Sequence, residues 1–456
     1  MMKTEDNLPA EFAGRMRSRL GSESETFFRA LGDEAVVSVR YNPLKLALPA
    51  NLKAVPWCRT GAYLDQRPVF TFDPAIHAGC YYVQEASSMF LEQAVVQLKL
   101  HEKKILALDL CASPGGKTTH LASLLHPDSL ILSNETIQSR LAPLKENVIK
   151  WGSGNVLVTQ NDPADFASLE SFFDLVVIDA PCSGEGLFRK DHDSMQQWSP
   201  QNCDLCASRQ QRILKDVLPC LKPGGVLVYS TCTFNEKENE EQVRWLTGEQ
   251  GLESLRLDIN SFEGVSEISE NGCHSYAFYP HRVRGEGFFL SAFRKKAEEH
   301  SKVSFKSRKG IFQPLPAALK GLSGWLKPDS GYVLYQRGDL VNAMPQRWME
   351  EIEFFCEILK VKYAGTIVAE LKGTKPIPHH ALAVSAVLNR NAFPCMEWSE
   401  EQAMSYLRKE SVTVSGDRKG WMLVATKGAA LGWVNHLGNR INNYYPVEWR
   451  VRKREA

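Results

Sequence analysis

The chain has 456 residues, enough for about two to four domains around at least one sizeable core. Composition is ordinary for a soluble globular protein, and the formal net charge is only +1, so total charge singles out neither a polyanion nor a membrane surface as partner. No apolar run approaches the roughly 18 residues of a membrane span, no stretch before Pro9 reads as a signal peptide, and eleven cysteines without framework spacing point to a reducing, cytoplasmic compartment.

Charge is uneven along the chain. From Ala297 onward 23 Lys+Arg face 16 Asp+Glu, whereas the first 296 residues carry 31 against 37. A mildly basic tail fits contact with a polyanion.

Residues 1–35 read as amphipathic helix around Phe12, Met16, Leu20, Phe27 and Leu31. "VVSVRYNPLKL" reads as a strand ending in a turn at Asn42-Pro43, and "GCYYVQEASSMFLEQAVVQL" as a lead into a helix capped near Ser87 or Ser88. From about residue 100 the pattern becomes regular. Apolar strands are predicted at 105–110, 130–134, 155–158, 174–179 and 226–230, with helices at 117–125, 138–151 (Pro143 marking a kink or a late start) and 203–221. Near-continuous apolar strands alternating with helices predict a parallel sheet covered on both faces. "SYAFYPHR" and "GFFLSAFRK", separated only by "VRGE", add an antiparallel hairpin. "EEHSKVSFKSRKG" reads as a linker, followed by a mixed region to about 385 and a short-stranded tail. These divisions set four segments: 1–99, 100–296, 297–385 and 386–456.

"ILALDLCASPGGKTTHLASLL" nearly spells a phosphate loop. The first glycine of that motif would stand at Cys111, and Pro114 offers no N–H to a phosphate, so a P-loop nucleotide hydrolase is disfavoured. The dinucleotide fingerprint fails too, because only Gly115 and Gly116 are present. What remains is a first strand leading into a loop, Cys111-Ala112-Ser113-Pro114-Gly115-Gly116-Lys117, where backbone approaches a ligand. Glu135 ends the second strand, Asp162 follows the third and Asp179 ends the fourth. Each alone reads as a helix cap or turn acid. Three at successive strand ends suit a nucleoside without phosphates, such as S-adenosyl-L-methionine with its positive sulfonium.

"DAPCSGEG" places Cys182 after the fourth strand and "STCTFNEKENE" places Cys232 after the fifth, so both thiols come to one sheet edge. A cysteine at a strand end is commonly just a small buried apolar residue. A pair there suits pyrimidine C5 methylation, in which a thiolate adds to C6, C5 takes the methyl and a base removes the C5 proton. Asp179 can donate to or accept from ring N3 and the exocyclic amine, favouring cytosine. On the residues alone, either cysteine qualifies as nucleophile.

Five segments, "GCYYVQEASSM", "DLCASPGGKT", "DAPCSGEG", "STCTFNEKENE" and "YPHRVRGEGFF", resemble the Sun/Fmu family of RNA cytosine-C5 methyltransferases. The resemblance implies an α/β fold with a Rossmann-like, seven-stranded class I core, Cys232 as nucleophile and Cys182 in product release. It also implies S-adenosyl-L-methionine contacts from Cys111–Lys117, Glu135, Asp162 and Asp179; the sequence itself assigns no metal ligands. "WMLVATKGAALGWVNHLGNRINNYYP" is similar to the PUA-like end of the bacterial 16S rRNA methyltransferase F branch, which implies a cytosine in the decoding region of the small ribosomal subunit, and "SVRYNPLK" fits the family's N-terminal RNA-binding domain. A monomer acting in the cytoplasm on 16S rRNA is expected. A tRNA or 23S rRNA target and a catalytically silent RNA-binding assembly factor are the alternatives, the second disfavoured by the intact cysteine pair.

Arg440, Arg450, Arg452, Lys453 and Arg454 form the best basic cluster, and the aromatic residues of the tail read mainly as core. Cys203-x-x-Cys206 reads as a helical face rather than half a metal site.

Overall fold

The computed structural model describes residues 8–297, 310–412 and 418–454, and none of the helices among them is long and apolar enough to cross a membrane. All but the last residue of the expected linker lies outside the described residues.

Two helices open the fold, α1 (Ala10–Leu20) and α2 (Ser24–Gly32), burying Phe12, Met16, Phe27 and Leu31 as their spacing predicts. A four-stranded sheet follows, built from β1 (Val37–Tyr41), β2 (Lys53–Ala54), β3 (Gly61–Leu64) and β4 (Tyr81–Val83) in the order β2-β3-β1-β4. Between β3 and β4 lies the short helix α3 (Pro74–His77). The next helical segment starts as a 3-10 turn at Ser87 and becomes α4 (Leu91–Gln97). Neither Ser87 nor Ser88 caps it. The Glu85 carboxylate does, accepting from Ser87 N at 2.9 Å and Ser88 N at 2.8 Å.

The central sheet takes its parallel strands from β5 (Leu106–Asp109), β6 (Leu130–Asn134), β7 (Val156–Thr159), β8 (Phe173–Asp179) and β9 (Leu221–Thr231). Their order is β7-β6-β5-β8-β9, with α5 (Gly116–Leu124), α6 (Gln138–Trp151), α7 (His192–Gln197), α8 (Pro200–Val217) and α9 (Glu240–Gly248) in the connections. Pro143 neither delays nor breaks α6. It sits in the second turn, where it deletes one helical hydrogen bond within an otherwise continuous helix. Helix α8 begins three residues earlier than predicted, because Ser199 accepts from Asn202 N at 3.1 Å and Pro200 occupies the first turn.

β10 (Glu253–Leu255), β11 (Ser266–Glu270), β12 (Cys273–Phe278) and β13 (Phe288–Arg294) follow. The hairpin is formed as expected: β12 and β13 are antiparallel, and β13 lies antiparallel to β9 with Phe289 opposite Thr231. The seven strands β7-β6-β5-β8-β9-β13-β12 are the Rossmann-like core that the resemblance implies, within a ten-stranded sheet.

Residues 310–385 do not stand apart from that sheet. β14 (Gln313–Pro314), β15 (Tyr332–Arg337) and β16 (Leu340–Pro345) begin a second sheet that β18 (Thr366–Lys372) and β19 (Lys375–Pro378) complete. Between them α10 (Met349–Ile358) and β17 (Val361–Ala364) turn back to the core, where β17 pairs antiparallel with β7 and covers its open edge. Phe355 of α10 is fully buried, stacked on Phe173 at 6.1 Å and edge-on to Phe172 at 5.4 Å. After α11 (His380–Ala383), the tail forms β20 (Cys395–Glu397), α12 (Glu400–Leu407), β21 (Gly420–Thr426), β22 (Ala429–His436) and β23 (Ile441–Asn443). One apolar cluster joins it to the N-terminal sheet, with Tyr406, Val424, Val434 and Tyr445 packed among Val39, Tyr41, Ala62 and Tyr81. Trp433 and Tyr445 are buried as read from sequence, whereas Trp421, Tyr444 and Trp449 are half-buried.

Phe355→Ala removes the stacked ring that seats α10 beside β17. It is expected to lower stability by roughly 3–5 kcal/mol, measured as a drop in the urea midpoint at constant slope.

Candidate active site

The site lies at the carboxyl edge of the parallel strands, the edge at which open α/β sheets hold ligands. β5 ends in Asp109, and the chain reaches α5 through the glycine loop. Gly115 caps α5 with φ +111°, a left-handed conformation that side-chain-bearing residues rarely adopt. Helix α6 clamps the loop: Ser113 Oγ donates to Arg140 O at 2.8 Å, Arg140 Nη2 donates to Ser113 O at 2.8 Å, and Asn147 Nδ2 to Pro114 O at 2.9 Å. Lys117 is buried, and its Nζ lies 2.7 Å from Asp179 Oδ2. The other oxygen of Asp179 accepts from Ser230 Oγ at 2.8 Å.

Glu135 follows β6 and is buried, with Oε1 accepting from Ile137 N at 2.8 Å and Oε2 lying 3.7 Å from Arg140. Asp162 has a local task as well. It caps the turn at 163–168 in a reciprocal box with Asp165 and lies 3.2 Å from Arg212. Of the three strand-end acids it is the one whose helix-cap reading the geometry directly displays.

Sequence reasoning passed over Asp109. The carboxyl group is fully buried, accepts from Thr118 Oγ1 at 2.6 Å through Oδ2, and leaves Oδ1 without a partner. Burial pushes it up to about 7. Its signal was present, as the acid closing the first strand of the glycine-loop unit, but it was hidden inside an apolar run.

The two thiols meet. In the pairing of β8 with β9, Asp179 stands opposite Ser230, so the loops beyond them leave side by side and put Cys182 Sγ 3.2 Å from Cys232 Sγ. Gly186 N donates to Cys232 O at 2.8 Å, an approach open only to glycine, since a Cβ there would stand 2.5 Å from Gly287 O. Glu238, quoted within a motif but not assigned a task, accepts from Ser183 N at 2.9 Å and Ser183 Oγ at 2.5 Å, holding the residue next to Cys182. Burial pushes its carboxyl up to about 7. Glu185 is buried too, accepting from Trp198 Nε1 at 2.9 Å and Phe234 N at 3.1 Å and pairing with Arg15 of α1. The hydrogen bond to Cys232, reinforced by burial, holds Cys182 well above the ordinary thiol range.

The donor set matches a cationic, phosphate-free nucleoside. Carboxylates line the crevice, one buried acceptor of Asp109 is unpartnered, and Pro114 within the loop offers no N–H to a phosphate. Two solved structures from Pyrococcus horikoshii share the architecture. A methyltransferase homolog protein is 30% identical with a TM-score of 0.52, covering 62% of this chain and 94% of that one. NSun6, crystallised with SFG, has a TM-score of 0.52 at 21% identity, covering 64% of this chain and 99% of its own. Fold and crevice together define an S-adenosyl-L-methionine-dependent methyltransferase.

Residues 95–294 match the 16S rRNA methyltransferase RsmB/F family, 8–86 the N-terminal domain of 16S rRNA methyltransferase RsmF, and 393–451 the methyltransferase RsmF PUA domain. The chain is 31% identical to ribosomal RNA small subunit methyltransferase F of Klebsiella pneumoniae over 96% of each sequence, and 31% identical to that of Aliivibrio fischeri over 97% of each. The chain belongs to the 16S rRNA methyltransferase RsmB/F family, and is an RNA methyltransferase.

Asp109 yields a pH signature. Its folded-state pKa is raised, so its contribution to stability is full below about 4 and is lost as pH rises through about 7. Asp109→Asn, which stays neutral, should therefore gain on the unsubstituted protein by more than about 1 kcal/mol between pH 5 and 8. Glu238 titrates in both proteins and cancels in that difference. Parallel urea unfolding curves across this range check it; a constant difference would show that Asp109 titrates normally.

Proposed function

We propose that the protein methylates C5 of a cytosine in 16S rRNA, in the decoding region of the small ribosomal subunit, through a covalent bond between Cys232 and C6. The observation that carries this reading is the pair of thiols 3.2 Å apart beside Asp179 and Lys117.

S-adenosyl-L-methionine supplies an electrophilic methyl group on its sulfonium. The loop from Cys111 through Ala112, Ser113, Pro114, Gly115 and Gly116 to Lys117 holds it at the strand ends, Glu135 receives its ribose hydroxyls, and Asp162 and Asp179 line the same crevice. The target base must be unstacked, and the N-terminal region and PUA domain grip the surrounding RNA.

The contact with Cys232, reinforced by burial, holds the Cys182 thiol protonated, and the family pattern gives the attacking role to Cys232. The Cys232 sulfur bonds to C6, and the electrons of the C5–C6 double bond become available at C5, where the methyl group is accepted. Asp179, with its oxygens engaged by Lys117 and Ser230, is an acceptor suited to the exocyclic amine that distinguishes cytosine from uracil. Once Cys232 is bonded to carbon it no longer holds up the Cys182 thiol. Cys182 then releases its proton to solvent, takes the C5 proton as a thiolate, and the electrons left behind restore the double bond and expel Cys232. One proton leaves per methyl transferred. The reading places a monomer in the cytoplasm, acting on the small subunit.

Incubation of each variant with small ribosomal subunits and S-adenosyl-L-methionine, followed by a denaturing gel, tests this. Cys182→Ala should accumulate a protein–RNA adduct that survives denaturation. Cys232→Ala should form none and lose methylation by roughly 10³-fold or more. An adduct from Cys232→Ala would reverse the two roles. Methylation confined to tRNA or 23S rRNA would move the target, and the absence of both methylation and adduct on every RNA pool would leave a binding factor.

A further inference from the structure

Helix α5 begins at the cofactor loop and carries, one turn on, a histidine that methyl transfer does not use. The His120 ring is completely buried. Its Nε2 lies 3.3 Å from Glu92 Oε2 on α4 and 3.7 Å from Cys58 Sγ on the loop between β2 and β3. One ligand atom from each of the three residues falls within 4.8 Å of the others, and all three side chains are buried. Nitrogen, oxygen and sulfur donors from three separate elements thus converge on one point in the interior.

The two separations from the histidine nitrogen, 3.3 Å to oxygen and 3.7 Å to sulfur, are close to those of a tetrahedral coordination shell. Bonds of about 2.3 Å to sulfur and about 2.0 Å to nitrogen and oxygen place N and S about 3.5 Å apart and N and O about 3.3 Å apart. Glu92 is already oriented for the task. Its Oε1 accepts from Arg59 N at 3.1 Å and Arg59 Nε at 2.9 Å, which turns Oε2 to the histidine and cysteine. A divalent ion with one thiolate and one carboxylate ligand is locally neutral, so its burial escapes most of the cost of a lone buried charge. The nearby guanidinium of Arg40, itself buried and hydrogen-bonded only to neutral acceptors, favours both anionic ligands.

The cysteines whose spacing looks more like a metal motif do not compete. Cys203 and Cys206 sit one turn apart on α8, and the nearest carboxylate to Cys203, Glu185 at 3.8 Å, is committed to Arg15, Trp198 and Phe234.

We infer that Cys58, Glu92 and His120 supply three ligands of a zinc site that fastens the N-terminal sheet to the helix of the cofactor loop. Mixed N, O and S donors in tetrahedral spacing select zinc over magnesium or calcium, which take oxygen ligands. Binding displaces the Cys58 thiol proton to solvent. The site spans residues 58 to 120, so the metal crosslinks the N-terminal domain to the catalytic domain without touching substrate.

Cobalt(II), spectroscopically visible in zinc sites, is the probe. Full-length protein carrying Cys182→Ser and Cys232→Ser, which removes the other close thiol pair, is stripped with chelator and titrated with Co²⁺. The expected result is one Co²⁺ retained per chain through gel filtration, with intense tetrahedral visible bands and a sulfur-to-cobalt charge-transfer band. Cys58→Ser should abolish the charge-transfer band, and Glu92→Gln and His120→Gln should each weaken binding at least tenfold. Zn²⁺ should raise the melting temperature of the parent and leave that of His120→Gln unchanged. No retained cobalt in the parent, or a charge-transfer band that persists in Cys58→Ser, overturns the site. Should Cys58→Ser not fold, equal Co²⁺ affinity in the parent and His120→Gln overturns it independently.

Discussion

The parallel register of β8 against β9 is the constraint on which the site depends. With Asp179 opposite Ser230, the two following loops leave the sheet at the same level, and the thiols three residues beyond Asp179 and two beyond Ser230 come into contact. A shift of one residue would turn every side chain on one strand to the opposite face and separate them. The buried network around Glu238 and Glu185 then fixes loops that, on exposed backbone alone, would sample many conformations. Buried carboxylates are poor sources of net stability. Here each accepts from one backbone N–H of a cysteine loop, Glu238 from Ser183 N and Glu185 from Phe234 N, and fills its remaining capacity on side chains, Ser183 and Gln210 for the first and Arg15 and Trp198 for the second, so their effect falls on position.

The N-terminal helices take part in the same arrangement. Phe12 packs edge-on to Phe188 at 5.0 Å and Phe27 to Phe234 at 5.2 Å, while Arg15 and Arg19 reach Glu185 and Glu240. A region that reads as a separate RNA-binding module is thus packed against the loops bearing both cysteines. Its contribution to the site is mechanical.

The core was legible in the sequence because its strands are buried on both faces and therefore read as apolar runs, and because the cysteine motifs sit where those runs stop. Helix boundaries slipped where a side-chain cap outweighed the apolar pattern, at Glu85 and at Ser199-Pro200. β17 was not legible as part of the central sheet: pairing across some two hundred residues leaves no periodic trace in either strand. Asp109 and Glu238 were missed for a related reason. Each sits in a quoted stretch, yet its protonation depends on burial produced by residues remote in sequence. Cys58, Glu92 and His120 are likewise ordinary residues in three unconnected segments until folding brings them together.

The pairing of β17 with β7 carries a consequence for biosynthesis. The edge strand at residues 156–159 is made some two hundred residues before the strand that covers it, so a nascent chain holds an exposed, apolar parallel edge through much of translation. The shared core between the N-terminal sheet and the tail extends the same dependence, since Val39 and Tyr41 wait for Tyr406 and Val434. Maturation of this enzyme is therefore concluded from the carboxyl end, and a chain truncated before residue 361 presents the ribosome and its chaperones with a sheet whose edge has no partner.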